Sequence, residues 1–196
     1  MKNRSYLIEF FEKKNNTREK ILKISREIVK DSGLIIRKIQ KGTEVDFTDI
    51  EEKLKELKNF SEDHFEFQKY RGTPEQEYVE TRVYYSIIFE NKILDFFDFD
   101  NILEESYILG LCDVIGELRR IILESIRKDE KTKAELYFEY MNKIYDFLME
   151  FDNYHVIDGL RRKQDVSRSL IEKTHGDIIN FNENLKLRIE LSKFNK

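Results

Sequence analysis

Asp113 and Glu117 stand four residues apart inside the most continuously apolar stretch of the sequence, Tyr107 to Leu123. In a helix they are one turn apart and share a face. Gly110, Gly116 and Arg120 fall on or beside that face, and Ile108, Leu111, Ile115, Leu118 and Ile122 line the other. A bare carboxylate in apolar surroundings is costly, so each acid calls for a cation, a proton or a metal ion. The plainest such partner is a salt bridge to Arg119 or Arg120. A second pair, Glu77 and Glu80, is three residues apart and again shares a helical face. Alone it means little in a chain with 39 acids, because solvated helix faces carry many such pairs. Together the pairs could do chemistry. Two helices packed side by side would converge four carboxylates on one point, an arrangement stable only around a cation. All-oxygen ligation favours Mg2+ or Mn2+ over zinc. Such an ion activates water and stabilises the charge developing on a phosphodiester.

The elements that must position these residues read as all-α. The chain has 196 residues, enough for one domain with a substantial core. One Pro, seven Gly and no Trp, with 40% hydrophobic and 38% charged residues, fit long helices with few breakers. The first helix is expected over Thr17 to Gln40, with Ile21, Ile24, Ile28, Ile35 and Ile39 at helical spacing and Gly42 at its end. Thr48 and Glu51 form a capping box that starts a second helix running to about Tyr70. Thr73 suits an N-cap and Pro74 the first position of a third, running to about Leu94. Asp95 to Asp100 is an acidic, aromatic connector. The helix of Asp113 and Glu117 spans about Ile102 to Arg127. Thr132 caps the next, which ends near Asp152. The last begins near Val156 and runs past Phe181, with Gly176 as a possible break.

Basic residues form the second constellation. Arg37, Lys38 and Lys41 close the first helix, and Arg161, Arg162, Lys163 and Arg168 lie on the last. In so charged a chain the ordinary reading is solvated surface. The functional one is a stripe of phosphate contacts, reading nucleic acid by backbone and shape. The net charge of −4 provides no global attraction for it, so local clusters would have to do the work. His64, His155 and His175 are scattered without ligand spacing, and Cys112 reads as a small buried hydrophobe. Tyr84, Tyr85, Phe96, Phe97 and Phe99 suit core or subunit contacts better than base stacking. A single cysteine and no apolar run of membrane-spanning length suggest a soluble cytoplasmic protein with no membrane partner.

Three segments carry a family resemblance: Gln76-Glu77-Tyr78-Val79-Glu80, Ile24-Ser25-Arg26-Glu27-Ile28, and Gly110-Leu111-Cys112-Asp113-Val114-Ile115-Gly116-Glu117-Leu118-Arg119-Arg120. The sequence resembles the translin family, and within it the translin-associated factor X (TRAX) branch. Gly159 to Leu170 is similar to the C-terminal helix of archaeal members. The resemblance implies an all-α, translin-like bundle of about six or seven helices forming one domain over residues 1–196. It implies a homo-oligomer, an octamer by analogy, whose internal cavity takes short RNA or single-stranded DNA. For the factor X branch it implies a Mg2+-dependent endoribonuclease, whose acids match Glu77, Glu80, Asp113 and Glu117 and whose arginine matches Arg120. Two other readings compete: a non-catalytic, translin-like RNA-binding shell, and an all-α nucleoside-triphosphate pyrophosphatase.

Overall fold

A computed structural model describes residues 3–62 and 65–194. Six α-helices account for most of them, and no strand occurs among the described residues. They are α1 (Arg4–Gln40), α2 (Thr48–Glu62), α3 (Gly72–Tyr85), α4 (Glu104–Arg127), α5 (Lys131–Met149) and α6 (Leu160–Phe194). Short 3-10 turns cover Phe65–Tyr70 and Phe96–Asp98, and a π-helical turn covers Ser86–Glu90. The expected all-α class is therefore observed. Two compact units share the chain. The first runs to Phe89 and resumes over Leu94–Gly110; the second takes Glu90–Ile93 and the described residues from Leu111 onward.

In the first unit α1 packs on α2 and α3. The isoleucines expected on the inner face of α1 are buried, with Ile21 and Ile28 fully so. Gly42 ends the helix at φ +73°, where its N–H reaches Ile39 O and the N–H of Thr43 reaches Lys38 O, the pattern of a left-handed C-terminal cap. The start of α1 differs from expectation. It begins at Arg4, and Thr17 lies inside it, its hydroxyl donating back to Lys13 O at 3.1 Å. Thr48 is likewise not the cap of α2. Its N–H and hydroxyl both donate to Asp46 Oδ1, at 3.0 and 2.7 Å, so Asp46 receives the chain into the helix. α2 is described to Glu62, and Phe65–Tyr70 form a 3-10 turn where the helix was expected to continue.

Thr73 is also displaced from its expected role. α3 starts one residue before it, with Arg71 in the cap position and no side-chain cap. Pro74 is tolerated in this first turn, where its missing N–H would have had no helical partner. Arg71 and Glu75 supply the anchorage instead. The Arg71 guanidinium donates to Glu75 Oε1 at 2.6 Å and to Asn101 O at 2.8 Å, and Glu75 Oε2 accepts the Leu103 N–H at 2.9 Å. Both side chains are buried. This ties the start of α3 to the residues leading into α4. Regular α-helix ends at Tyr85 rather than near Leu94, and the chain leaves the π-turn through Asn91 at φ +53°.

In the second unit α4 closes at Asp129, φ +58°, with the Glu130 N–H on Ser125 O. That turn hands the chain to α5 at Lys131, so the cap position is Glu130 rather than Thr132. α5 packs against α6, and Met141, Ile144 and Leu148 of α5 are buried. Gly159 at φ +78° starts α6 at Leu160, four residues later than expected, and the helix passes through Gly176 unbroken. A β-carbon added at Gly176 would meet nothing within 4 Å, so no close approach calls for glycine there.

Candidate metal and nucleic-acid site

α3 and the beginning of α4 meet at Gly110 in the first unit. A β-carbon there would sit 2.8 Å from Gln76 O and from Val79 Cβ and Cγ1, so the absence of a side chain is what lets the two backbones approach. Gln76 and Val79 bracket Glu77, and Glu80 follows directly. The glycine of the apolar motif thus packs on the helix of the first acid pair. Glu77 and Glu80 are both half-buried. Gly116, the motif's other glycine, is exposed and crowded by nothing.

The second acid pair lies in the second unit. Ile115, Leu118 and Ile122 are fully buried and Leu111 almost so, as the helical reading required. Asp113 and Glu117 are left half-exposed. Lys163 Nζ of α6 lies 2.6 and 2.5 Å from the two Asp113 oxygens. Glu117 Oε1 is 3.5 Å from Arg120 Nη1. Of the expected salt-bridge partners, Arg120 reaches Glu117, while Asp113 is covered by Lys163. Arg119 turns to α6, donating to Thr174 Oγ1 at 2.7 Å and pairing with Asp177 at 2.9 Å. Lys163 was read as a phosphate contact, and its role as the Asp113 partner was missed. No periodicity within α4 can reveal a partner 50 residues away on another helix.

The other basic residues are more open. Arg37, Lys38 and Lys41 are exposed at the end of α1. On α6, Arg162 is exposed, Arg161 pairs with Asp152 at 2.9 Å, and Arg168 donates to Tyr145 Oη at 3.0 Å. Arg120, at 65% side-chain exposure, keeps most of its guanidinium in solvent despite its contact with Glu117.

Among the described residues, no three or more His, Cys, Asp or Glu side chains are grouped to hold a metal ion. The donor types of the two acid pairs nevertheless suit a hard divalent ion, being carboxylate oxygens alone. Cys112 is no rival ligand: burial pushes its thiol up to about 12, so it stays protonated and packs as a hydrophobe. His64 lies outside the described residues. His155 is exposed, and His175 stacks on Phe138. Tyr84 is fully buried, while Phe96 and Phe99 pack against Tyr107, so these rings serve the core. Phe97 is almost fully exposed. No described helix is long and apolar enough to cross a membrane.

Helical architecture and a motif glycine seated on the acid-pair helix define a class, and the comparisons agree with it. The translin family model matches residues 16–175, and the chain belongs to the translin family. An uncharacterised protein of Methanocaldococcus jannaschii is 50% identical over 194 residues, covering 96% of this chain and 87% of the relative. Among solved structures, AfC3PO superposes with a TM-score of 0.75 at 29% identity, covering 92% of this chain and 97% of that one. AfC3PO in complex with duplex RNA superposes with a TM-score of 0.72 at 27% identity, covering 92% and 96%. Apo-NeC3PO, at 23% identity and a TM-score of 0.75, shares the fold.

Proposed function

We propose that this chain is a cytoplasmic RNA-binding protein of the translin family that cleaves RNA with Mg2+ or Mn2+, as the factor X resemblance implies. The observation that carries the reading is the match, over 92% of the chain, to a relative solved with duplex RNA. Glu77, Glu80, Asp113 and Glu117 are the proposed ligands. The support for them is their all-oxygen chemistry and the Gly110 contact that seats the α3 acid pair beside the start of α4. A divalent ion held by them would supply positive charge against the negative charge developing on the scissile phosphodiester. The protein's own part is to bind and orient the strand. Arg120 has the exposure to fork onto a phosphate through two N–H groups. Arg37, Lys38, Lys41, Arg161, Arg162 and Arg168 are proposed to hold the backbone without reading sequence.

Assembly into a homo-oligomer, an octamer by analogy, belongs to the same reading. The first turns of α1 expose Tyr6, Leu7, Ile8, Phe10 and Phe11, and the end of α6 exposes Leu187, Ile189 and Leu191. Apolar surface of this kind is what subunit interfaces cover. One observation favours the second reading, a non-catalytic RNA-binding shell: protein cations already compensate Asp113 and Glu117.

Cleavage of short single- and double-stranded RNA in Mg2+, Mn2+ and EDTA separates the two. The nuclease reading expects cleavage that EDTA abolishes. It also expects Glu117→Ala to lose cleavage and keep RNA binding, with that binding weakening as salt rises. Cleavage that survives EDTA, or a fully active Glu117→Ala variant, overturns the nuclease reading and leaves the shell.

A further inference from the structure

The contact between Lys163 and Asp113 joins two proposed functions, metal ligation and phosphate binding, in one ion pair. The α6 backbone at this point is fixed: Leu160 is buried, and the buried Gln164 donates from Nε2 to Leu148 O at 2.8 Å. From that anchored turn Lys163 extends its flexible stem to cover both oxygens of Asp113. The geometry is close, yet the pair is cheap to break. Its side chains are 27% and 31% exposed, so water screens the pair and offsets most of what its separation would cost. A divalent ion carries twice the charge of the ammonium and competes for the same oxygens. Arg161 and Arg162 precede Lys163 directly, so an ammonium released there would join basic residues proposed to hold phosphate.

We propose that Lys163 is a displaceable cation. It holds Asp113 until a divalent metal takes that carboxylate, and the freed ammonium then engages an RNA phosphate. This rests on the reading of Asp113 as a metal ligand. It makes metal and RNA mutually reinforcing ligands: each competes for one partner of the Lys163–Asp113 pair and so weakens the hold on the other. By linkage the reinforcement is equal in both directions.

The test measures Mn2+ binding to the full chain without RNA, by calorimetry or by the signal of free Mn2+ in electron paramagnetic resonance. Wild type is compared with Lys163→Met, Asp113→Asn and the double variant. Lys163→Met should bind Mn2+ about fivefold more tightly or better, the low end of site-to-site coupling. In the Asp113→Asn background the same substitution should have little effect. A second readout is affinity for a 2′-O-methyl RNA duplex, which resists cleavage. Mg2+ should tighten wild-type binding relative to EDTA, and Lys163→Met should lose that gain. Lys163→Arg, which keeps the charge, guards against a folding defect and should stay near wild type in Mn2+ affinity. If Asp113→Asn weakens Mn2+ binding but Lys163→Met leaves it unchanged, the displacement idea alone is overturned. If Mn2+ binding is absent or indifferent to Asp113→Asn, the metal-ligand reading falls and this inference falls with it.

Discussion

Gly110 and Gly116 are both helical glycines of one motif, yet alanine should move stability in opposite directions at the two positions. At Gly110 the new β-carbon would lie 2.8 Å from Gln76 O and from Val79 Cβ and Cγ1, where ordinary contact begins at 3.4 Å. The deficit is 3.4 − 2.8, or 0.6 Å, and no floppy side-chain end is there to yield. The obstacles are a carbonyl of the helix backbone and the stem of a β-branched residue, so α3 and the start of α4 must separate. Overpacking of this kind costs about 1–3 kcal/mol. Alanine's better helix propensity returns about 0.5–1 kcal/mol, leaving Gly110→Ala destabilised by up to about 2.5 kcal/mol. At Gly116 nothing lies within 4 Å, so Gly116→Ala should keep the propensity gain and be stabilised by about 0.5–1 kcal/mol. Urea unfolding followed by circular dichroism at a fixed protein concentration measures both. Gly110→Ala should also slow RNA cleavage, because the displaced turn carries Glu77 and leads into Glu80. A Gly110→Ala protein as stable as wild type, or two variants shifting together, would refute the close approach as the reason for glycine.

Glu75→Ala should destabilise the protein by about 3–5 kcal/mol in the same unfolding assay, since it strands the buried Arg71 guanidinium and removes the acceptor of the Leu103 N–H. Cys112, with its thiol held up to about 12 by burial, should resist alkylation in the native protein from pH 7 to 9 and react only once urea unfolds it. On the proposed nuclease reading, Arg120→Ala should slow RNA cleavage tenfold or more, about 1.4 kcal/mol of transition-state stabilisation. Its melting temperature should barely move, because the side chain is mostly in solvent.

The helical class and the apolar face of α4 were legible because periodicity records burial directly. Ile115, Leu118 and Ile122 sit where a 3.6-residue repeat puts them. The caps were less legible. Thr17, Thr48, Thr73 and Thr132 each stand where a threonine could cap a helix, and none does so. Thr17 bonds back to Lys13 O, Thr48 donates to Asp46, and left-handed Asp129 decides where α5 starts. A side-chain cap is a local option, and here neighbouring turns outcompete it. Gly110 was legible as a small residue in an apolar run but not as the contact with Gln76 and Val79, since spacing does not reveal what lies opposite. The same limit hid Lys163: charge counting finds a basic cluster on α6, and only the fold shows which of its members is turned toward Asp113.

Burial separates the two ion pairs that matter most to this reading. Arg71 and Glu75 are 5% and 2% exposed, and they bond to each other and to the protein around them: Asn101 O for the guanidinium, the Leu103 N–H and Ser106 for the carboxylate. Removing either partner leaves a charge that water cannot reach, so this pair resists exchange and acts as a lock on the start of α3. Lys163 and Asp113 are as close, yet roughly a quarter to a third of each side chain remains exposed. Water can take over either charge at small cost, and so can a stronger ligand, a divalent ion for the carboxylate or a phosphate for the ammonium. Compensated acids therefore favour the shell only where the compensating cation cannot be displaced, because an uncompensated set would repel itself before any metal arrived. What decides between a nuclease and a shell is how readily the compensation is given up, and the solvent-accessible pair on α4 and α6 has the cheaper exchange.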